Sequence, residues 1–361
     1  MIQDIQILLT YFLVVVTLLP LWRYEAWWVR GLDFPRLQFM VVALFIMLAD
    51  AVTLDFSQYN TWFVESLALG CFCFHSGWIL PYTKLFRKEV KTARRHKKRD
   101  QIRIMTANVL MPNRNYEGLL QLVSQHQPDV LVTLETNSWW QEKLQVLESD
   151  YRYTIKCPLE NLYGMHVYSR LPLEDTAVQF LVEHDVPSMH ALVVLRSGVR
   201  VRMHFLHPAP PSPTENLASS ERDAELLVVA KSVSDEVVPI IITGDLNDVA
   251  WSSTTRLFRK ISGLLDPRIG RGMFNTFHAR YWFARWPLDH LFHSEHFTLA
   301  SIQRLPYFGS DHFPMLVELV YDVPHGADQE GLEADEEDLE WAEQKMDEHD
   351  VEEADVHEPG K

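Results

Sequence analysis

Asp245 and Asn247 stand two residues apart in Gly244-Asp245-Leu246-Asn247, directly after the apolar run 237–243. A strand over that run places residues two apart on the same side. A carboxylate and a carboxamide then converge at the rim of a sheet. An ionised Asp only accepts hydrogen bonds, whereas Asn both donates and accepts. The pair suits a water that must be held and deprotonated beside a phosphate that must be gripped. Taken alone, the same residues make an ordinary strand-to-loop turn, so their company decides the matter.

That company sits at the ends of other strand-like segments. Asn108 follows 103–107, Glu135 follows 130–134 and His207 follows 200–206. Asp289 precedes 290–292, and Asp311 and His312 precede 315–320. Acids and amides at strand ends are the oxygen ligands that a hard cation such as Mg²⁺, or Mn²⁺ in its place, takes. Histidines beside them would neutralise or protonate a phosphate.

The elements that must position these residues read as α/β. Helical periodicity marks 116–126, 139–147, 220–231 and 252–260, and further strands are predicted at 165–168, 177–182, 191–195 and 298–304. The run 208–213 is a stiff loop, because its prolines fix φ and cannot join a ladder. Strands that follow one another without helices between them imply antiparallel pairing. Two such sheets face to face, with helices outside, make an α/β (α+β) fold, a four-layer αββα sandwich of two mainly antiparallel sheets spanning 102–321.

The first 83 residues read as a three-helix transmembrane anchor. Apolar runs at 5–22, 37–54 and 62–82 are each about the length that crosses a bilayer. Trp27, Trp28, Trp62, Trp78 and Tyr82 lie near their ends, as interfacial aromatics do. A signal peptide does not fit the first run, which lacks a basic start and a clear cleavage site. Basic residues set the orientation. Arg23, Arg30 and Arg36 lie in the first loop, none lies in the second, and nine crowd 84–99 after the third span. The positive-inside rule then predicts an N-terminus outside and everything after Tyr82 in the cytoplasm, at the cell (inner) membrane. The basic linker 84–101 is expected to contact anionic lipid, at about 1 kcal/mol per charge near the surface. Glu65 and His75, inside the third run, are expected to be a structural pair.

Charge is distributed unevenly over the 361 residues. The net value is +5 over 1–99, −6 over 100–321 and −15 over 322–361. The last segment has few apolar residues and dense like charge, so 322–361 is expected to be an acidic disordered tail with at most a transient helix near 333–345. Cys71, Cys73 and Cys157 allow neither a disulfide framework nor a zinc site, in keeping with a reducing compartment. His204 lies three residues before His207, but strand alternation points it to the opposite face. His184, His190, His278, His293 and His296 read as structural or exposed, and His166 as a strand residue.

Seven motifs occur in order: Thr106-Ala107-Asn108, Thr133-Leu134-Glu135, Ser169-Arg170-Leu171-Pro172, His207-Pro208, Gly244-Asp245-Leu246-Asn247, Leu288-Asp289-His290 and Ser310-Asp311-His312. In this the chain resembles the endonuclease/exonuclease/phosphatase superfamily, as a membrane-anchored, bacterial-type member of its DNase I-like and exonuclease III-like group. The resemblance implies the αββα fold and metal-assisted, in-line hydrolysis of a phosphoester. It casts Glu135 as principal Mg²⁺ ligand, helped by Asn108, with Asp311 near the metal. It makes Asp245 the residue that activates the attacking water and Asn247 a holder of a phosphate oxygen. His312 would contact the scissile phosphate, Asp289 would fix its tautomer, and His207 would be a second phosphate-contacting or proton-donating histidine. Some nuclease relatives carry an acid two residues after the first Asn. Leu110 stands there here, which shifts metal binding towards Glu135.

The reaction class is thereby narrower than the substrate. Three spans, a basic linker and a net acidic catalytic part favour a membrane-tethered phosphodiesterase acting on a lipid head group or small phosphoester. A nuclease is the alternative, since nucleic-acid binding draws on Lys and Arg. Seven basic residues from Arg256 to Arg285 are interleaved with aromatics including Phe274, Phe277, Tyr281, Trp282 and Trp286. They could bind a strand by charge and stacking or seat the domain on a membrane. A non-catalytic membrane scaffold with a relic fold is the third reading.

Overall fold

Alternating strands build two sheets whose apolar faces meet. The computed structural model describes residues 2–94, 98–234 and 236–361, so Arg95 and Lys97 of the basic run lie outside the described residues. The first sheet holds β1 (Gln101–Asn108), β2 (Val130–Leu134), β3 (Tyr153–Cys157), β4 (Met165–Ser169), β10 (Phe297–Arg304) and β11 (Met315–Tyr321), in the order β10-β11-β1-β2-β4-β3. The second holds β5 (Leu173–Gln179), β6 (Ser188–Val194), β7 (Arg200–Leu206), β8 (Ile240–Asp245) and β9 (Asp289–His293), in the order β5 to β9. Pairing is antiparallel except at β1–β2 and β7–β8, where a helical crossover makes it parallel. The sequence pattern passes over β3 and places β5 several residues late. Only Ile155 of β3 is buried, so that edge strand has little apolar signal.

Parity along each strand decides what faces where. Ile102, Ile104, Val130, Val132, Met203, Phe205 and Ile241 fill the core between the sheets. The opposite parity of the first sheet, with Met105, Ala107 and Leu131, packs under α5 (Tyr116–His126) and α6 (Ser138–Leu144). Ile240, Ile242 and Phe292 of the second sheet pack under α7 (Ser220–Ser232) and α8 (Ser253–Ser262). The domain is the four-layer sandwich. Capping side chains start its helices: Asn115 accepts from the Gly118 N–H, Asn137 from Trp140 and Ser252 from Thr255.

Before the sandwich come α1 (Ile2–Leu18), a single-turn α2 (Trp27–Arg30), α3 (Arg36–Thr53) and α4 (Tyr59–Ile79). Among the described residues, three helices are long and apolar enough to cross a membrane. His75 hydrogen-bonds Thr17 at 2.9 Å, tying α4 to α1. It does not pair with Glu65, which lies almost three turns away along the same helix. The linker is no free leash. Thr92 bridges Leu299 beside β10, Val90 is buried in the inter-sheet core, and Glu89 binds Arg259. Lys84, Arg87 and Lys88 remain exposed.

The acidic tail is ordered, against the expectation of disorder. After a short turn, α9 (Val323–Gly326), it forms α10 (Glu336–Asp347), opened by a capping box between Asp335 and Asp338. Ala342, Met346, Val351 and Val356 complete the core over α7 and α8. Lys345 is buried between Asp223 and Glu25. Sparse apolar residues at helical spacing and one internal lysine therefore outweigh the like-charge repulsion of the composition.

Glu225 on α7 is buried, and its Oε1 has no partner. Burial and the neighbouring Glu183 charge push its carboxyl up from 4.5 to about 8. The fold therefore keeps a proton that the unfolded chain releases above about pH 4.5, and stability falls as pH rises from there towards 8. Glu225→Gln should raise the melting temperature, and the gain should grow across that window by up to about 1.4 kcal/mol for each pH unit. A pH-independent difference between the two proteins in thermal melts would refute this account.

Candidate active site

The site lies where β1, β2, β7 and β8 end together. Thr106 and Thr243 hydrogen-bond across the gap between the sheets at 3.0 Å. Two residues further along each strand, alternation aims Asn108 and Asp245 into the same gap. There the Asn108 Nδ2 donates to Asp245 Oδ2 at 3.2 Å and to Glu135 Oε1 at 2.8 Å. The Leu110 N–H occupies the Asn108 oxygen at 3.0 Å. Asn108 thus stands as a donor bridging two carboxylates, not as an oxygen ligand.

Two neighbours need special backbone to arrive. Parity alone would send Glu135, one residue beyond the inward Leu134, out of the gap. Its φ of 58° re-aims the side chain. That left-handed conformation is uncommon for a residue with a Cβ and costs on the order of 1 kcal/mol. Asn247 has φ 51°, with its N–H on Asp245 Oδ1 at 3.0 Å and its Nδ2 on the Pro208 oxygen at 2.9 Å. Gly244 is required for a different reason. A Cβ there would lie 1.8 Å from the Leu206 oxygen, so β7 and β8 could not approach.

His312 occupies the centre. Its Nδ1 meets Asp289 Oδ2 at 2.8 Å, and its Nε2 lies 3.4 Å from Asp245 Oδ2. Burial disfavours the imidazolium, but Asp245 and Asp289 outweigh it and push His312 up to about 10. Asp245, Asp289 and His312 bring ligating atoms within 4.8 Å of one another. Both ring nitrogens face carboxylates, so this trio holds a proton and orients a cationic imidazole. His207, inward by the parity of β7, lies under the Tyr163 ring at 5.5 Å, and its Nδ1 is buried without a partner. Burial, only partly offset by Asp245, pulls it down to about 4 and leaves it neutral.

The donor set fits a divalent cation. Burial pushes the Glu135 carboxyl up to about 7, with Asp311 adding repulsion against the Asn108 hydrogen bond and the His312 charge. Asp289 Oδ1 is also buried without a partner. A cluster of carboxylates with a single imidazolium is short of positive charge, and Glu135 with Asp311 beside it has the oxygens a hard cation takes.

All eight sequence-derived residues converge, with Asp311 at the rim. His204 faces away and bonds His190 at 2.8 Å. His166 lies in β4 against the Tyr168 hydroxyl. Sequence reasoning missed Phe277 and His278: the Phe277 ring packs, tilted, 4.9 Å from both His278 and His312. It also missed Arg222, whose Nη1 donates to the Asn247 oxygen at 3.0 Å. None of the three sits at a strand end, so alternation along an apolar run does not point to them.

Comparisons with known proteins agree with this architecture. The structure of the human Nocturnin catalytic domain with bound sulfate anion aligns at TM-score 0.51 and 16% identity, over 62% of this chain and 96% of that one. Humanized D. rerio TDP2 aligns at TM-score 0.50 and 15% identity, over 61% and 99%. At such identities these likenesses speak for the fold alone. No curated protein matches the chain in sequence. Residues 105–312 match the model of the Endonuclease/Exonuclease/phosphatase family, whose members are hydrolases that typically depend on a divalent metal, and the chain belongs to that family.

Proposed function

We propose that this protein is a membrane-tethered, divalent-metal-dependent phosphodiesterase that acts on a lipid head group or a small phosphoester. The observation that carries the reading is the convergence of Glu135, Asn108, Asp245, Asp289 and His312 in one gap, with His312 held cationic between two carboxylates. Glu135 and Asp311 would hold Mg²⁺, or Mn²⁺ in its place. The bound cation would neutralise charge developing on the phosphate. Asp245, fixed by the Asn247 N–H and the Asn108 amide, orients a water in line with the phosphorus and takes its proton. His312 presents an N–H to the scissile phosphate and stabilises its charge. Asn247 contributes its remaining amide donor, and His207 a neutral imidazole. Orientation by basic residues puts the N-terminus outside and this chemistry at the cytoplasmic face of the inner membrane.

The basic residues of the nuclease alternative are largely spent inside the protein. Arg259 pairs with Glu89, Lys260 with Asp338 and Arg268 with Asp266, while Arg271 donates to the Val90 oxygen. Few are left to track a phosphate backbone.

The test is a panel. Full-length protein should hydrolyse a generic phosphodiester or phospholipid with Mg²⁺ or Mn²⁺ and stop in chelator. Glu135→Gln should raise the metal concentration for half-activity by about tenfold or more. No turnover on any phosphoester, or turnover indifferent to chelator, would remove the reading. DNA cleavage that falls steeply with salt would put the nuclease in its place.

A further inference from the structure

Tyr281, Trp282 and Phe283 form the most exposed aromatic run of the domain, at 52%, 81% and 61% accessibility. Solvated loops rarely spend three consecutive large aromatics on water. Their position gives the reason. The Phe283 carbonyl accepts a hydrogen bond from Gln38 Nε2 at 2.9 Å. Gln38 lies in the first turn of α3, whose 18 residues span about 27 Å. A hydrocarbon core is about 30 Å thick, so nearly all of α3 is used in crossing, and Gln38 marks the membrane boundary. The aromatic run is thus pinned to the level of the head groups. Trp22, Tyr24 and Trp28, exposed at the same end of the bundle, belong to the zone where Trp and Tyr gather.

The run is also joined to the active site. The Tyr281 ring lies 4.7 Å from His278, and Phe277 lies 4.9 Å from both His278 and His312. On its other side Phe277 stacks on Trp286, which meets Phe34 just before α3. The catalytic histidine is therefore three ring contacts from a loop fixed at the membrane boundary.

We propose that Tyr281, Trp282 and Phe283 are a lip that inserts into the interfacial layer of the bilayer, so that the catalytic cleft opens on the lipid surface and receives a phosphodiester head group from it. This rests on the membrane-tethered phosphodiesterase reading and names where its substrate resides. The aromatics bury their rings among the head groups while their polar tips stay hydrated. Exposed Arg280, just before them, offers a cation to a lipid phosphate at the cleft mouth.

The experiment uses full-length protein in phosphatidylglycerol–phosphatidylcholine vesicles, with Cys71, Cys73 and Cys157 replaced by Ala. A fluorophore is attached at Trp282→Cys or, as control, at Val237→Cys, beyond the end of β8 opposite Asp245. Nitroxide-bearing lipid should quench the label at 282 and not at 237, and aqueous iodide the reverse. Iodide reaching both equally would overturn the lip, whatever the substrate. In the wild-type cysteine background, Trp282→Ser/Phe283→Ser, which keeps Tyr281 on His278, should lower hydrolysis of vesicle phospholipid by about tenfold through lost positioning, leaving a soluble diester unaffected. Equal effects on both substrates would overturn the assignment of the substrate to the bilayer. Lipid quenching at 282 in a protein that hydrolyses no phosphodiester would support the lip and sink the activity on which it rests.

Discussion

Asp245→Asn should leave a folded protein whose phosphodiester turnover falls by about three orders of magnitude, the loss typical of a positioned general base. The substitution keeps the size of the side chain and one oxygen acceptor for the Asn247 N–H. It removes the carboxylate proposed to take a proton from water. It also withdraws one of the two carboxylates that hold His312 as a cation, so the His312 proton should become easier to lose. The pH profile of the residual activity should then fall away at lower pH on its alkaline side than in the parent. His312→Ala should cost a comparable amount. The double variant should be little worse than either single one, because residues acting as a unit lose their effect together. Steady-state kinetics with saturating metal, beside thermal melts, decide the matter. Asp245→Asn with turnover within about threefold of the parent would exclude Asp245 as the base.

The legible part of this site was the part that strand parity controls. Asn108, His207, Asp245 and Asp289 each continue, or begin, a strand on the parity that faces the gap, so their convergence follows from an alternation readable in an apolar run. The order of motifs then supplied the family and the layers. Glu135 is different in kind. Its place after β2 was legible, but parity points it outward, and only the left-handed φ brings it to Asn108. Backbone choices of that sort are made by tertiary contacts and leave no mark in composition. Phe277 and His278 escaped because they reach the site through pairing of 276–279 with 311–313, a contact between two irregular segments. The order of the tail is hidden because composition averages over residues. Seventeen acids hide the few side chains, Ala342, Lys345 and Met346 among them, that α10 buries.

That buried lysine leads from the tail to the active site. Lys345 Nζ donates to Asp223 Oδ2 at 2.8 Å and to Glu25 in the loop before α2. Asp223 Oδ1 accepts two hydrogen bonds from Arg222, and Arg222 Nη1 holds the Asn247 carbonyl. Burial disfavours the Asp223 carboxylate, but Lys345 and Arg222 together hold it well below the usual carboxylate range. Lys345→Ala should therefore cost about 2–3 kcal/mol, somewhat under the usual loss for breaking a buried pair because Arg222 still faces Asp223. The sign of the pH dependence follows from linkage. A depressed carboxylate stabilises the fold above its unfolded value of about 4, and that stability is lost as pH falls further. The gap between parent and Lys345→Ala should then be full at pH 7 and narrow progressively below about pH 4. Turnover should fall severalfold at saturating substrate, since Arg222, drawn more strongly to the Asp223 carboxylate that Lys345 no longer neutralises, holds the Asn247 carbonyl less firmly in its left-handed turn. Lys345→Arg should recover part of both. Melts that are unchanged at pH 7, or a deficit that widens in acid, would show that the acidic tail is merely attached to the domain and has no part in holding the site.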